Sequence, residues 1–244
     1  MTTLDQAWAL VADVDGWMSR DQAAALYSAA AACSPGGRIV EIGSFRGRST
    51  IVLASAAPTG ATVIAIDPHA GNDRGPQEID GYQDEAATDH AVFVANLARA
   101  GVTDRVTHLR MFSDRALTEI PGSVDVVYID GAHRFAPARA DIRDWGARVN
   151  DGGTMLIHDS FSSLGVTLAI VRELFVGRRF RYIGRARSMT IYRADLGRGR
   201  ARNALRQVVQ LPWFAKNLGL KVLLTIGGAK LLRRFGRSVP EWPY

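Results

Sequence analysis

Asp130 and His133 follow one short apolar segment, residues 124–129, while His158 and Asp159 close another that starts at Gly153. Two carboxylates that meet with room for water and a hydroxyl are the hard oxygen ligands that Mg²⁺ takes. An imidazole near its unperturbed pKa is a base at neutral pH. Together such groups would take the proton from a hydroxyl and make it a nucleophile. His133 is the expected base. Asp130, Asp159 and His158 are the expected metal set, with His158 also an alternative base. The plainer reading of Asp159 is a cap on the helix after Ser160. His69 is more simply a solvated loop residue, although it could line an entrance, and His90 and His108 carry no signal.

For these groups to meet, their segments must be neighbouring strands of one sheet. Residues 38–42, 62–67, 106–112, 124–130 and 153–159 are short apolar runs separated by helical stretches, the pattern of a parallel sheet covered on both faces. Ligands of such sheets sit at the carboxyl ends of the strands, where Gly43, Asp67, Ser113, Asp130 and Asp159 all fall. The first run ends in Glu41, Ile42 and Gly43, turns through Ser44, Phe45, Arg46 and Gly47, and enters a helix at Ser49. Such a loop brings backbone N–H groups and a helix N-terminus close to a ligand, and a side chain at Gly43 or Gly47 would obstruct the approach. The second run ends on Asp67, 26 residues after Glu41, where an acid can hold a ribose diol. The glycines alone would equally serve a tight turn, and their spacing is not the dinucleotide pattern.

The Val-Glu-Ile-Gly-x-x-x-Gly-x-Ser loop, the Ile129-Asp130-Gly131-Ala132-His133 strand end and the Gly152-Gly153…His158-Asp159 strand end resemble those of class I S-adenosylmethionine-dependent methyltransferases. Within that class the chain is similar to the metal-dependent sugar O-methyltransferases that act on macrolide sugars and mycobacterial methylmannose polysaccharides. The resemblance spans residues 15–193. It implies an α/β, Rossmann-like, doubly wound and mostly parallel seven-stranded sheet with helices on both faces and a closing antiparallel strand pair. It also implies S-adenosyl-L-methionine and Mg²⁺ as cofactors. Glu41, Gly43 and Gly47 would line the methionine end, Asp67 would take the ribose hydroxyls, Met111, Phe112 and Ser113 would lie by the adenine, and Ser44, Phe45, Ser49 and Asp130 would be further cofactor-binding residues. Where the macrolide-sugar enzymes carry acids at the metal, this chain has His158 beside Asp159.

The 244 residues, 47% apolar, suffice for one large α/β domain with residues to spare. The expected division is a helical cap over residues 1–34, a catalytic domain over 35–195 and a basic amphipathic extension over 196–244. Ser19 with Gln22 three places on predicts a capped second helix in the first part. Trp17 is read as packing, with the substrate side as its alternative. Residues 68–85 are turn-rich and read as part of a substrate entrance. Helices are expected over residues 89–100 and 137–149. Leu164, Leu168, Val171 and Phe175 form an apolar stripe expected to pack on the sheet, before a strand pair at residues 180–183 and 188–192. Cys33, the single cysteine, is expected to be buried and suits a reducing cytoplasm. No leader segment and no membrane-spanning run is apparent.

Of the net charge of +6, residues 197–244 carry ten Lys or Arg against one Glu, net +9, which leaves −3 for residues 1–196. The basic tail reads as a dimer arm, a helix resting on acidic lipid, or a nucleic-acid contact, in that order. The expected activity is methyl transfer to a hydroxyl of a sugar or another hydroxylated small molecule, a short mannoside being the specific candidate. A homodimer is expected, with peripheral membrane contact as a further option. A nucleic-acid methyltransferase and a membrane-surface protein without turnover are the alternatives.

Overall fold

The structure, a computed structural model, describes residues 2–70 and 83–225, with side chains for all of these except 83–87 and 223–225. Seven strands form one sheet in the order β3-β2-β1-β4-β5-β7-β6, with β1 Arg38–Ile42, β2 Thr62–Ile66, β3 Val106–Leu109, β4 Val124–Ile129, β5 Val149–Ile157, β6 Arg181–Ala186 and β7 Met189–Arg193. The pairings from β3 to β5 are parallel, whereas β7 runs antiparallel to both β5 and β6. The expected doubly wound sheet with its closing antiparallel pair is therefore present.

Strand alternation builds two cores. Ile39, Val63, Ala65, Val126, Tyr128 and Leu156 face one side, where they pack on helices α1 Leu4–Ala9, α2 Arg20–Ala31, α3 Arg48–Ala56 and α4 Gln83–Arg99. Val40, Ile42, Ile64, Ile66, Val127, Ile129, Met155 and Ile157 face the other, under α5 Ser113–Glu119, α6 Phe135–Arg148 and α7 Leu164–Ile170. Each buried Leu or Ile contributes roughly 1.5–3 kcal/mol. Helix α3 is buried on all sides from Ser49 to Ala56 because α1 and α2 lie over it as an extra layer. Both of those helices open on a capping box, Thr3 with Gln6 and Ser19 with Gln22, which satisfies N–H groups that the first turn leaves over.

Several expected boundaries move. Helix α6 begins at Phe135, α4 begins at Gln83, and β5 begins at Val149, ahead of the expected start at Gly153, with an irregularity opposite Val124 to Val126 absorbing the extra residues. Most of the expected entrance loop, residues 71–82, lies outside the described residues. The stripe of Leu164, Leu168 and Val171 does not pack on the sheet. Leu164 is 54% exposed, and Val166, Ala169, Ile170 and Leu174 take the inner face, joined by Phe175. This segment is apolar on every side, so its spacing fitted two faces equally and the docking geometry chose between them. A π-helical turn, Val171–Phe175, extends α7. Cys33 is buried, as expected, and burial beside Asp125 pushes its thiol up to about 12.

After β7 the chain forms α8 Arg200–Val208 and α9 Leu211–Thr225. No helix among the described residues is long and apolar enough to cross a membrane.

Candidate active site

At the carboxyl edge of the sheet the backbone is held in unusual conformations. Phe45, His69, Asp159 and Phe161 all have positive φ, at 44°, 44°, 51° and 56°, a region that costs side-chain-bearing residues energy and is common at functional sites. These residues follow β1, β2 and β5.

The β1 loop is built around Glu41, which is fully buried and accepts hydrogen bonds from the hydroxyls of Ser49 and Thr50 at the start of α3. Burial, which those two hydrogen bonds only partly offset, pushes its carboxyl up to about 8. Glu41 and Ser49 thus tie strand to helix beneath the loop rather than reaching its surface. Gly43, with φ +86°, is required by packing: a Cβ there would lie 2.1 Å from the Asp130 carbonyl. Gly47 opens α3 in the left-handed conformation without a side-chain cap. Asp67 Oδ2 accepts from Phe45 N–H and its Oδ1 from His69 N–H, both at 2.8 Å, while His69 Nε2 lies 2.8 Å from the Phe45 carbonyl. Far from being solvated, His69 is buried and clamps the β1 loop to the end of β2. His90 and His108, which carry no signal in the sequence, stack beside it with Phe93. Burial, reinforced by the neighbouring histidines, holds His108 down at about 4.

Ser44 is buried, with a hydroxyl that finds no partner in the structure. A buried, unpaired hydroxyl beside an uncapped helix N-terminus is what a bound polar ligand would satisfy. On the adenine side expected from the sequence, Met111 packs against the core, Phe112 is half exposed, and Ser113 donates to the buried Asp141 Oδ1 at 2.5 Å. Asp141 is missed by sequence reading because a lone acid inside a helix looks like a solvated face. Trp17 lies 5.4 Å from the Phe45 ring and is 49% exposed, so it packs on the β1 loop outside the core.

The second half of the site follows from strand register. Ile129 pairs with Ile157, so the next residues, Asp130 and His158, stand opposite each other on one face. His158 Nδ1 is 3.2 Å from Asp130 Oδ1, and Tyr128, two residues before Asp130, donates its hydroxyl to Asp130 Oδ2 at 2.9 Å. Alternation alone would send Asp159 to the opposite face. Its left-handed backbone turns it back instead, so that Asp159 Oδ2 meets His133 Nε2 at 3.0 Å and lies 3.6 Å from His158 Nδ1. Ser162 donates to the other oxygen at 2.8 Å. His133 is positioned by α7, which approaches so closely that a Cβ at Gly165 would lie 2.2 Å from the His133 carbonyl.

Burial opposes ionisation of Asp159, but His133 and His158 outweigh it and hold the carboxyl well below the usual range. Burial likewise pulls His133 down while Asp159 and Asp130 raise it, and the net effect is upward. For His158 the carboxylates favour an imidazolium against burial. Gln22 faces the other ring nitrogen: its Oε1 accepts from Ser19 N–H, which turns its Nε2 toward His158 Nε2 at 3.1 Å.

Asp130, His133 and Asp159 present one oxygen, one nitrogen and one oxygen within 4.8 Å of one another, a set that could hold a metal ion. His133 thus occupies the position expected of His158, which sits beneath as the partner of Gln22. Two carboxylates and an imidazole suit Mn²⁺ or Fe²⁺ as readily as Mg²⁺.

Residues 40–160 match a family model described as a methyltransferase domain. Among solved structures, an O-methyltransferase from Bacillus cereus in complex with SAH is similar at 17% identity over 80% of this chain and 91% of that one, with a TM-score of 0.52. The SAH-bound Podospora anserina methyltransferase PaMTH1 shares 18% identity over 79% and 87%, with a TM-score of 0.55. The O-methyltransferase NovP shares 16% over 72% and 81%, with a TM-score of 0.57.

Proposed function

We propose that the chain, whose residues 40–160 match a methyltransferase domain and whose seven-stranded sheet has the matching order, is a class I, S-adenosylmethionine-dependent methyltransferase, and that its acceptor is a hydroxyl activated by His133, Asp159 and Asp130. The observation that carries this reading is the 3.0 Å contact between His133 Nε2 and Asp159 Oδ2 at the same sheet edge as the Ser44 loop. The methyl donor supplies an electrophilic carbon on a sulfonium: the acceptor O–C bond forms, the C–S bond breaks and the hydroxyl proton leaves.

His133 receives that proton. With Nε2–H donated to Asp159, the lone pair of Nδ1 is the basic one, and Asp159 stabilises the imidazolium that results, an orienting role familiar from base and carboxylate pairs. Tyr128 and His158 hold Asp130 in place. A divalent cation bound by Asp130 and Asp159, Mg²⁺ in the simplest case, would acidify the hydroxyl and share the work of His133. The loop of Gly43 to Gly47, the Asp67 carboxylate and the Ser44 hydroxyl would bind the donor.

The acceptor class that fits best is a sugar or another polyhydroxylated small molecule. Trp17, half exposed and packed on the Phe45 ring of the β1 loop, would offer an aromatic surface to the apolar face of a sugar ring. A mannoside is one such acceptor. Calorimetric titration of S-adenosylhomocysteine, with and without Mg²⁺, on the wild type and on Asp67→Ala tests the cofactor assignment. Transfer of labelled methyl from S-adenosylmethionine to a panel of mono- and oligosaccharides tests the acceptor. Tight S-adenosylhomocysteine binding with transfer only to amines would overturn the hydroxyl reading.

A further inference from the structure

Helix α8 is inside out, and α9 is so in part. Helix α8 turns Asn203 and Gln207 into the protein, both buried, and α9 does the same with Asn217. Their amides complete backbone groups of the domain. Tyr182 N–H donates to Asn203 Oδ1 at 2.8 Å, Asn203 donates to the Phe180 carbonyl at 3.1 Å, Gln207 donates to the Leu174 carbonyl at 3.2 Å, and Asn217 donates to the Phe161 carbonyl at 3.1 Å. Tyr192 donates its hydroxyl to Gln207 Oε1 at 3.0 Å. Helix α8 thus covers the edge of β6 and closes the π-helical turn, two places where backbone groups would otherwise need water.

On α8 the apolar residues are left outside, whereas on α9 Leu211, Trp213 and Phe214 pack against the core. At 3.6 residues per turn, Leu205, Val208 and Val209 lie on the side of α8 opposite Asn203 and Gln207, and they are 61%, 43% and 58% exposed. Val222 on α9 is 52% exposed. Arg202 and Arg206 flank the α8 stripe and are exposed, as are Arg198 and Lys216. A water-facing helix normally shows the reverse polarity. An apolar stripe rimmed by cations is the pattern of a helix that lies in a lipid headgroup layer.

We propose that the outward faces of α8 and α9 dock on the surface of an anionic lipid bilayer, with Leu205, Val208 and Val209 entering the acyl boundary and the flanking arginines pairing with headgroup phosphates. Charge complementarity selects this occupant. The segment from residue 197 carries net +9, so a two-fold contact with a second copy would set arginines against arginines. RNA would use the arginines but leave the apolar stripe in water. Helix α9 also runs beside the active site, since Asn217 holds Phe161 and the charge of Asp159 acts on the partly buried Lys221. A docked molecule would therefore keep its site next to the headgroups.

The test is sedimentation of the full chain with pure phosphatidylcholine vesicles and with equimolar phosphatidylcholine and phosphatidylglycerol. Binding only to the mixed vesicles is expected. Leu205→Asp with Val209→Asp should weaken it at least tenfold, and Arg202→Gln should weaken it about fivefold. S-adenosylhomocysteine affinity and melting temperature should stay unchanged in these variants, because the altered side chains touch solvent. No binding to the mixed vesicles would overturn the proposal, as would binding that the double aspartate variant leaves intact. Loss of a dimer in sedimentation velocity without any lipid binding would assign the face to a second copy instead. A salt-sensitive RNA shift without lipid binding would assign it to nucleic acid.

Discussion

His158 Nε2 lies 3.1 Å from Gln22 Nε2, across 136 residues of sequence. Gln22 is also the reciprocal partner in the capping box that opens α2, which leaves it no freedom to rotate its amide. A helix-capping residue therefore packs its amide against the ring of the histidine that lies 3.2 Å from Asp130. Replacing it, as in Gln22→Met, should cost about 1–3 kcal/mol of stability and lower the methyl-transfer rate roughly 10- to 100-fold. Affinity for S-adenosylhomocysteine should hold, because the hydrogen-bond partners of Gln22, namely Ser19, His158 and Ser188, lie outside the β1 loop. Thermal melting, single-turnover kinetics and calorimetry on one preparation would separate these effects, and an equal loss in all three would reduce Gln22 to a purely structural role.

His133→Ala should lower the transfer rate by about 10²- to 10⁴-fold and leave S-adenosylhomocysteine binding intact. Asp159→Asn should give a loss of similar size, because His133 and Asp159 act as a unit. Kinetics of the double variant decide whether they do: losses that multiply would show two independent contributions.

Asp67→Ala removes an acceptor from two backbone N–H groups as well as the expected ribose contact. Binding of S-adenosylhomocysteine should fall below detection in calorimetry while the sheet remains folded. Retention of the native far-ultraviolet circular dichroism is the accompanying check.

Glu41 gives the protein a pH signature. Burial raises its folded pKa to about 8 from 4.5. For an acid shifted upward, the folded state holds the extra proton, so the contribution to stability is complete below the unfolded value and is lost as pH rises through about 8. Glu41→Gln cannot ionise. It should match the wild type near pH 5 and exceed it by on the order of a few kcal/mol at pH 9. Urea denaturation at both pH values measures the difference, and a gap that does not change with pH would contradict the buried-acid account.

Cys33, buried and raised to about 12, should resist alkylation in the native protein and react once unfolded. Iodoacetamide labelling followed by mass measurement, with and without urea, reads this directly.

The sequence by itself determined the sheet, its near-continuous apolar strands and the edge at which chemistry could occur, because burial on both faces demands those strands and ligands of such sheets sit at the carboxyl ends. It also brought Asp130 and Asp159 to neighbouring strand ends, whereas the register that sets His158 opposite Asp130 came from the structure. It could not determine three things. Asp159 meets His133 only because a left-handed residue after β5 reverses the strand's alternation. Gln22 reaches His158 only because the N-terminal helices form a layer over α3. Leu164 and Leu168 face outward because a helix apolar on all sides has no inner face until something packs on it. Local rules of period and capping are written in neighbouring residues. Contacts between distant segments, and the strained turns that aim them, are settled only when the whole chain is packed.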